Sequence, residues 1–398
     1  MSIGARGVLR TVWLCFAACV CEGIDLQAAG VAGPGIRAEF NSTAQALGWF
    51  FSAGTIGLFI GAALGGWLAD RAGRKRVLVA SVAAFGLFSL LTATSQDVHT
   101  LTALRLLTGF GLGGALPNLI ALASEAAPAQ RRNAYVSLIY AGAPLGGAVA
   151  SVVSMVNPLE RWRWIFIVGG MLPLLVVPLL ARWLEESARF RTATVQVVTT
   201  GRLLQLFSSG RAVRTLLLWG ASFLILLTLY LLLNWLPLLM KGSGMSTVAA
   251  GAAQCLFNVG GAIGAALIGR VLESRGRTLG VALTYGGLPV LLGILVAIIG
   301  APAGTLLVLF LLGATVLSAQ AILYAIAPLC YPTQSRGTGV GFVVSIGRLG
   351  SALGPLLGST LVQAGRSPGA VLGGLLPLAL LGCAIALLIA WRRVVPED

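Results

Sequence analysis

Four charged residues lie inside long apolar stretches of this sequence and are the first candidates for chemistry. Glu22 and Asp25 stand three residues apart in the stretch that begins TVWLCFAACVC, and Arg105 and Arg348 interrupt two other stretches. Charge inside a membrane span is costly, and such residues usually face a partner or a wet cavity. A carboxyl group released from an arginine can take up a proton, and an arginine can hold a carboxylate through two parallel bonds. The pattern therefore favours proton coupling and anion binding.

The elements that must position these residues are membrane spans. The chain has 398 residues, of which 57% are hydrophobic and 10% charged, whereas soluble domains have about 25% charged residues. Apolar runs of roughly 18 to 25 residues recur, each long enough to cross about 30 Å of hydrocarbon as a helix. They do not alternate as barrel strands do. We predict an all-α membrane protein with twelve transmembrane helices, at 10–34, 44–68, 77–95, 99–124, 134–156, 163–184, 212–240, 246–272, 278–299, 303–328, 335–362 and 368–391.

The positive charge predicts the orientation of these spans. Of the 27 lysines and arginines, 20 fall at the termini and in the even-numbered loops, five in the odd-numbered loops and two inside spans. Positive loops stay in the cytoplasm, so we predict cytoplasmic termini. The same distribution accounts for the net charge of +15 without a nucleic-acid partner, because no basic segment lies outside the short loops.

Two strings recur along the chain and indicate an internal duplication. GWLADRAGR at 66–74 returns as GRVLESRGR at 269–277, and PAQRR at 128–132 returns as PTQSR at 332–336, at nearly equal offsets of 203 and 204. A looser echo links GAPLGG at 142–147 to LGPLLG at 353–358. Repeats in the same order predict two six-helix halves, 1–184 and 212–398, joined by a central cytoplasmic loop at 185–211.

Several motifs carry a resemblance to a known family. GGWLADRAGRKRV (65–77) and RLLTGFGLGG (105–114) resemble the loop and span 4 motifs of the major facilitator superfamily. EGIDLQAAG, LPNLIALASEAAP, NWLP and GRLGSALGP resemble the aromatic acid:proton symporter family, in particular its hydroxyphenylpropionate branch. One departure is Glu22, where most of that family has Asp.

The resemblance implies the major facilitator fold in two pseudo-symmetric halves and a function. It implies a transporter in the lipid bilayer of a bacterial inner (plasma) membrane that imports small aromatic carboxylates, such as 3-hydroxyphenylpropionate-like acids, with protons by alternating access. It also implies a monomer that needs no metal or other cofactor, because a proton gradient supplies the energy.

Asp25, Glu22 and Arg105 are the predicted proton-coupling residues. At 1.5 Å per residue, Asp25 lies about 22 Å from the cytoplasmic end of span 1, and Arg105 about 21 Å from that side. At equal depth the two side chains can pair, and separating them favours proton uptake because a neighbouring arginine favours the charged carboxylate. Glu22 lies one turn deeper on the same face. The alternative is a static ion pair that fixes helix packing.

Arg348 is the predicted ligand of the substrate carboxylate, because its own half has no obvious acid inside a span. The alternative is an ion pair with Asp25 or Glu22. Polar and aromatic residues inside spans suit a hydroxylated ring, although each is as able to bridge helices. The predicted pocket residues are Asn118, Asn234, Trp235, Gln320 and Tyr324.

A charge cluster is predicted at the cytoplasmic end of the first half, where it would hold one access state closed. Gly73 permits a tight turn, and acids at one helix end can pair with arginines at the next. The predicted gating residues are Asp70, Arg71, Gly73, Arg74, Glu125 and Arg132, with Glu273 and Arg336 in the second half. The alternative for the basic residues is a topology signal.

Other classes of protein fit the sequence less well. A proton-coupled drug or organic ion exporter of the same fold is the first alternative, but Arg348 disfavours cationic drugs. A non-transporting membrane sensor would need a sizeable soluble domain. An intramembrane enzyme is disfavoured because no HExxH or GxSxG motif occurs. The six cysteines predict packing residues, and His99, at a span edge, is assigned no role.

Overall fold

The computed structural model describes residues 5–128, 131–156, 162–186, 206–207, 211–273, 277–332 and 335–391. These residues are almost entirely helical, and none of them lies in a strand. Twelve described segments are long and apolar enough to cross a bilayer, which confirms the predicted all-α membrane fold. The helices are α1 (Ala5–Phe40), α2 (Ala44–Ala72), α3 (Arg74–Ala93), α4 (Val98–Ala126), α5 (Arg132–Val156), α6 (Arg163–Trp183), α7 (Ala212–Gly242), α8 (Thr247–Glu273), α9 (Arg277–Ile298), α10 (Pro302–Ile326), α11 (Arg336–Gln363), α12 (Pro368–Gly373) and α13 (Leu376–Trp391).

Most helix boundaries lie within a few residues of the predicted ones, and three differences bear on the fold. Helix α1 is longer than the predicted 10–34 and contains Pro34, which membrane helices tolerate because neighbouring groups satisfy the freed carbonyl. Helix α10 continues as a 3₁₀ turn at Ala327–Cys330. The last span consists of two helices, α12 and α13, because α12 ends at its C-cap Gly374.

One of the side-chain caps at the start of a helix is repeated between the two halves, and another is not. Thr43 caps α2 by accepting a bond from the amide of Ala46 (3.2 Å), and Ser246, at the matching position of the second half, caps α8 in the same way. Such side chains satisfy an amide that has no partner within the helix. Asp97 caps α4, whereas Ala301, which matches it in the second half, offers no side-chain cap.

The chain divides into two units. The N-terminal unit comprises Met1–Val195 and Ser246–Cys255. Within it α2 lies directly on α4: a Cβ at Gly57, Gly61 or Gly109 would collide with a backbone carbonyl of the other helix. Helix α1 meets α5 in the same manner, through Gly146 on the carbonyl oxygen of Val20. Small residues allow this close approach, which is how membrane helices gain packing energy.

The C-terminal unit comprises Gln196–Met245 and Leu256–Asp398. A Cβ at Gly260, Gly264 or Gly313 would collide with the backbone of the helix packed against it, α8 against α10. Gly350 of α11 lies on the carbonyl oxygen of Phe223 in α7. The C-terminal unit is therefore also built on glycine-mediated backbone contacts.

The glycine contacts of the two units match residue by residue. Gly57 lies on Leu106 and Gly260 on Phe310; Gly146 lies on Val20 and Gly350 on Phe223. Spans 1 and 2 map onto spans 7 and 8, and spans 4 and 5 onto spans 10 and 11, at the two offsets that the sequence repeats have. The structure thus supports the duplication.

One of the three sequence echoes is misaligned. Placing GAPLGG on LGPLLG matches Gly146 with Leu357, whereas the backbone contacts match Gly146 with Gly350. Helices rich in small residues produce such strings by chance, so the third echo is wrong. The domain limits 1–184, 185–211 and 212–398 stay a prediction, and most of 185–211 lies outside the described residues.

Candidate functional site

Asp25 of α1 and Arg105 of α4 form a buried ion pair in the N-terminal unit. Arg105 Nη1 donates to the Asp25 carboxylate, and Nη2 donates to the carbonyl oxygens of Asp25 (2.8 Å) and Leu26 (3.1 Å). The side chains are 0% and 3% exposed. The contact that the depth argument predicts is therefore present. Its role in proton coupling stays a prediction.

Neighbouring helices leave space for the ion pair, but they provide only some of the hydrogen bonds that its groups can make. Gly54 of α2 lies under the arginine stem, and a Cβ there would come within 3.0 Å of Arg105 Nε. The second carboxylate oxygen of Asp25, Oδ2, is buried and makes no hydrogen bond of ordinary geometry with described residues. The Ser89 hydroxyl lies beside the carboxylate but donates to the carbonyl of Phe166, 3.2 Å away. One oxygen of Asp25 is thus available to carry a proton.

Glu22 is a second buried acid on α1, 3% exposed. It lies one turn from Asp25, on a segment where Gly23 abuts the backbone of Ala143 in α5. Its burial agrees with a functional acid, and its role stays a prediction.

Arg348 of α11 is half-buried in the C-terminal unit. Its Nη1 donates to the hydroxyl oxygen of Tyr230 in α7, 3.0 Å away. Tyr230 is buried and was not among the predicted site residues. The charge pattern gave no signal for it; by the repeat, Tyr230 occupies the position that matches Gln27 of the first half.

Gln27 itself is a second residue that sequence reasoning missed. Its side chain lies over Gly147 of α5, where a Cβ would collide with it. Gln254 at the start of α8 donates to Gln27 Oε1 over 3.1 Å, and both are buried. Gly251 packs against Met155 nearby, so Ser246–Cys255 belongs to the N-terminal unit.

The two predicted asparagines use their amide groups within their own helices. Asn118 donates to the carbonyl of Gly114, and Asn234 to that of Tyr230, both over 2.8 Å. Both residues are buried. The Nδ2 groups therefore stabilise the backbone, and a contact with substrate stays a prediction.

Trp235 bridges two helices. It is fully buried, donates through Nε1 to the carbonyl of Pro355 over 2.9 Å, and packs at Gly358 of α11. These contacts fit the bridging alternative, and a contact with substrate stays a prediction. Gln320 and Tyr324, one turn apart on α10, bond to each other over 3.3 Å and are half-buried.

Among the described side chains, the predicted gating cluster is reduced to one ion pair. Arg74 at the start of α3 pairs with Glu125 at the end of α4. Gly73 between α2 and α3 has φ +98°, a conformation that suits glycine. Arg71 stacks on the ring of Trp67 at 3.7 Å instead of meeting an acid. Asp70 is exposed and bonds to no described side chain.

The structure describes only some of the remaining predicted gating residues. The side chains of Arg132 and Glu273 lie outside the described residues. Arg336 makes a weak bond of 3.5 Å from Nε to the carbonyl of Tyr331. Sequence reasoning missed Glu186, which accepts from the amide of Lys75 at 3.0 Å.

A further polar cluster lies at the opposite end of the N-terminal unit. Glu39 at the end of α1 accepts from Trp162 Nε1 and from Arg163 Nη1, both at 2.6 Å. Arg163 also donates to the carbonyl of Ser95 after α3, at 2.9 Å. These bonds tie together the ends of α1, α3 and α6.

The chain belongs to the Major Facilitator Superfamily, whose model matches residues 15–355. It is 42% identical to the 3-(3-hydroxyphenyl)propionate transporter of Escherichia coli K12, over 99% of this chain and 98% of that protein. It is 34% identical to the gallate transporter of Pseudomonas putida, over 88% and 85% of the two chains. The inward-open xylose transporter of E. coli superposes with a TM-score of 0.80 at 17% identity, covering 98% of this chain and 97% of that one.

These similarities define the class of protein. It is a multi-pass membrane transport protein and not an enzyme, as predicted. The resemblance to aromatic acid transporters is likewise confirmed.

Proposed function

We propose that the protein imports small aromatic carboxylates, of the 3-hydroxyphenylpropionate class, together with protons by alternating access. The observation that carries the proposal is the buried pair of Asp25 and Arg105, with one carboxylate oxygen available for a proton. The substrate class rests on the relatives, which are named as transporters of hydroxyphenylpropionate and gallate.

Protonation of Asp25 is the proposed coupling step. A proton on the carboxyl group removes its negative charge and leaves Arg105 with the carbonyls of Asp25 and Leu26. The contact between α1 and α4 is then weaker, because hydrogen bonds to charged groups are stronger than neutral ones. Glu22 supplies a second acid one turn away. The proton gradient is the energy source, and no cofactor takes part.

Arg348 is the proposed ligand of the substrate carboxylate. From residue 212 to residue 391 the only acid in the sequence is Glu273, at the end of α8. A substrate anion can therefore balance a cation that this half lacks the acids to neutralise. An arginine fork suits a carboxylate because it donates two parallel bonds.

The cellular setting of the proposal follows from charge. Arginines and lysines concentrate at the termini and even-numbered loops, which favours cytoplasmic termini in the bacterial inner membrane. The Arg74–Glu125 pair then lies at the cytoplasmic end, where it would stabilise one access state. We propose that a single chain carries out transport.

Uptake into proteoliposomes tests the coupling. Radiolabelled 3-(3-hydroxyphenyl)propionate, benzoate and protocatechuate are offered with and without an inward proton gradient, to wild type and to Asp25→Asn. We expect the gradient to accelerate uptake by wild type and to have no effect on the variant. Glu39→Gln is the matched control, because it removes an acid from the same helix at an exposed ion pair. Full gradient-driven uptake by Asp25→Asn would refute the proton role.

Substrate affinity tests Arg348. We expect Arg348→Ala to raise the Kd for the acid at least about tenfold, since a bond to a charged group contributes roughly 1.5–3 kcal/mol. An unchanged Kd in a folded variant would exclude Arg348 from the site. Transport of organic cations instead of acids would favour the exporter.

A further inference from the structure

Helices α7 and α11 of the C-terminal unit are in backbone contact around Arg348. Gly350 lies on the carbonyl of Phe223, and Gly354 on that of Leu227. Two hydrogen bonds fix the register on either side: Ser222 donates to the carbonyl of Val343 at 2.8 Å, and Trp235 to that of Pro355 at 2.9 Å. The relative height of any two side chains on these helices is therefore well defined.

Tyr230 lies between these two fixed points and meets Arg348. Arg348 Nη1 donates to the phenol oxygen at 3.0 Å. A guanidinium has five N–H donors in one plane, so a bond to one nitrogen restricts the orientation of the whole group. The tyrosine is 5% exposed and its ring is held by packing, which makes it a rigid support for a long side chain.

The phenol is suited to more than support. A phenol oxygen that accepts from Arg348 can also donate its own proton, because a tyrosine hydroxyl is both a donor and an acceptor. A carboxylate bound by Arg348 offers an acceptor for that proton within reach of the same oxygen. The arginine and the phenol would then donate to one anion, and bonds to an ionised acceptor are about twice as strong as neutral ones.

We propose that Tyr230 is a positioning and specificity residue for the carboxylate site: it orients the Arg348 guanidinium and donates its hydroxyl proton to the same anion. The inference rests on the proposed role of Arg348. It predicts that Tyr230 discriminates an aromatic acid from a neutral derivative of the same shape.

Tyr230→Phe tests this, because it removes the hydroxyl and keeps the ring. Isothermal titration of the purified full-length protein measures the Kd of 3-(3-hydroxyphenyl)propionate and of its primary amide. We expect Kd for the acid to rise about tenfold, the effect of losing a bond to a charged group, and Kd for the amide to change less than about twofold. The ratio of the two constants does not depend on the fraction of folded protein.

Tyr285→Phe is the matched control. Tyr285 is equally buried in the same unit, and its hydroxyl donates to the carbonyl of Ala319 at 2.9 Å. Removing that hydroxyl should leave the acid-to-amide ratio unchanged. An unchanged ratio in Tyr230→Phe, or the same change in both variants, would overturn the inference.

The two proposals fail in different ways. If wild type binds the acid and Arg348→Ala does not, while Tyr230→Phe behaves as wild type, only the role of Tyr230 is refuted. If wild type binds neither this acid nor benzoate, the proposed function fails and the inference fails with it.

Discussion

The two units share their backbone contacts but not their polar side chains. Glycines at matched positions bring α1 onto α5 and α7 onto α11. Yet the positions that match Asp25 and Arg105 hold Thr228 and Leu309, both buried. Duplication has kept the residues that close packing requires, while each unit carries its own polar group.

Comparing Arg348 and Tyr230 with their counterparts in the N-terminal unit leads to the same conclusion. Arg348 corresponds to the buried Pro144, and Tyr230 to Gln27, which bonds to Gln254. The N-terminal unit holds the acid–arginine pair, and the C-terminal unit holds the arginine–tyrosine pair. A proton site and an anion site on different halves would let each respond to its own ligand.

Substituting the shared glycines should destabilise both units alike. We expect Gly146→Ala and Gly350→Ala each to lower stability by about 1–3 kcal/mol or more, because the added Cβ meets a backbone carbonyl that cannot move aside. Thermal unfolding in detergent measures the loss. Gly66→Ala and Gly269→Ala are matched controls, since nothing lies within 4 Å of a Cβ there. Equal stability of all four variants would show that the contacts are not shared constraints.

Replacing Asp25 and Arg105 by the residues at the matching positions of the C-terminal unit tests whether the ion pair is specific to the N-terminal unit. Arg105→Leu alone leaves a buried carboxylate without its partner, which costs about 3–5 kcal/mol. We expect Asp25→Thr combined with Arg105→Leu to recover most of that stability in thermal unfolding, but not gradient-driven uptake. A double variant no more stable than Arg105→Leu would contradict this account.

The Arg74–Glu125 pair should have a moderate effect on rate. Glu125 corresponds to Leu329 in the other half, so the pair exists in one unit only. We expect Glu125→Gln to change the maximal uptake rate by roughly tenfold with KM unaltered, because a partly buried hydrogen bond to a charged group contributes about 1.5–3 kcal/mol to one state. Glu185→Gln, which removes the exposed Arg10–Glu185 pair at the same end of the unit, should have no effect. Identical kinetics for both variants would show that the Arg74–Glu125 pair has no role in gating.

The cap of α4 should have the smallest effect. The Thr100 hydroxyl and amide donate to Asp97 at 2.6 and 2.8 Å, and these bonds hold the pKa of Asp97 below its usual value. A lowered pKa means that the carboxylate stabilises the fold above about pH 4 and ceases to do so as pH falls further. We expect Asp97→Ala to lower the melting temperature slightly at pH 7, with a smaller difference in acid. Asp97→Asn, also a good cap, should melt like wild type at pH 7.

The sequence predicted the parts of the molecule that depend on composition. Apolar length identified the twelve spans, and charges inside them identified Asp25 and Arg105, whose shared depth follows from helix rise alone. Tyr230 and Gln27 were missed although Gln320 and Tyr324, of the same residue types, were selected, because the sequence does not rank one uncharged polar residue of a span above another. Their contacts depend on which helix faces which, and this became clear only once the glycine contacts fixed the register.

Packing also explains the residues whose geometry differed from expectation. Trp235 was predicted as a pocket residue because it is an aromatic residue inside a span; in the structure Gly358 opposite it makes room for an indole between two helices. Arg71 was expected to meet an acid, whereas the nearby Trp67 ring provides a surface on which it stacks. A pattern of charged residues does not show where a glycine leaves space or where an aromatic ring lies.

The glycine contacts have a mechanical consequence for each unit. Moving α4 along α2 by one residue, about 1.5 Å, would take Gly109 away from the carbonyl of Gly54 and bring a bulkier neighbour towards it. Such helix pairs resist shear even though few strong bonds join them. Conformational change within a unit should therefore keep these pairs rigid and occur as rotation at the contacts that glycine does not lock.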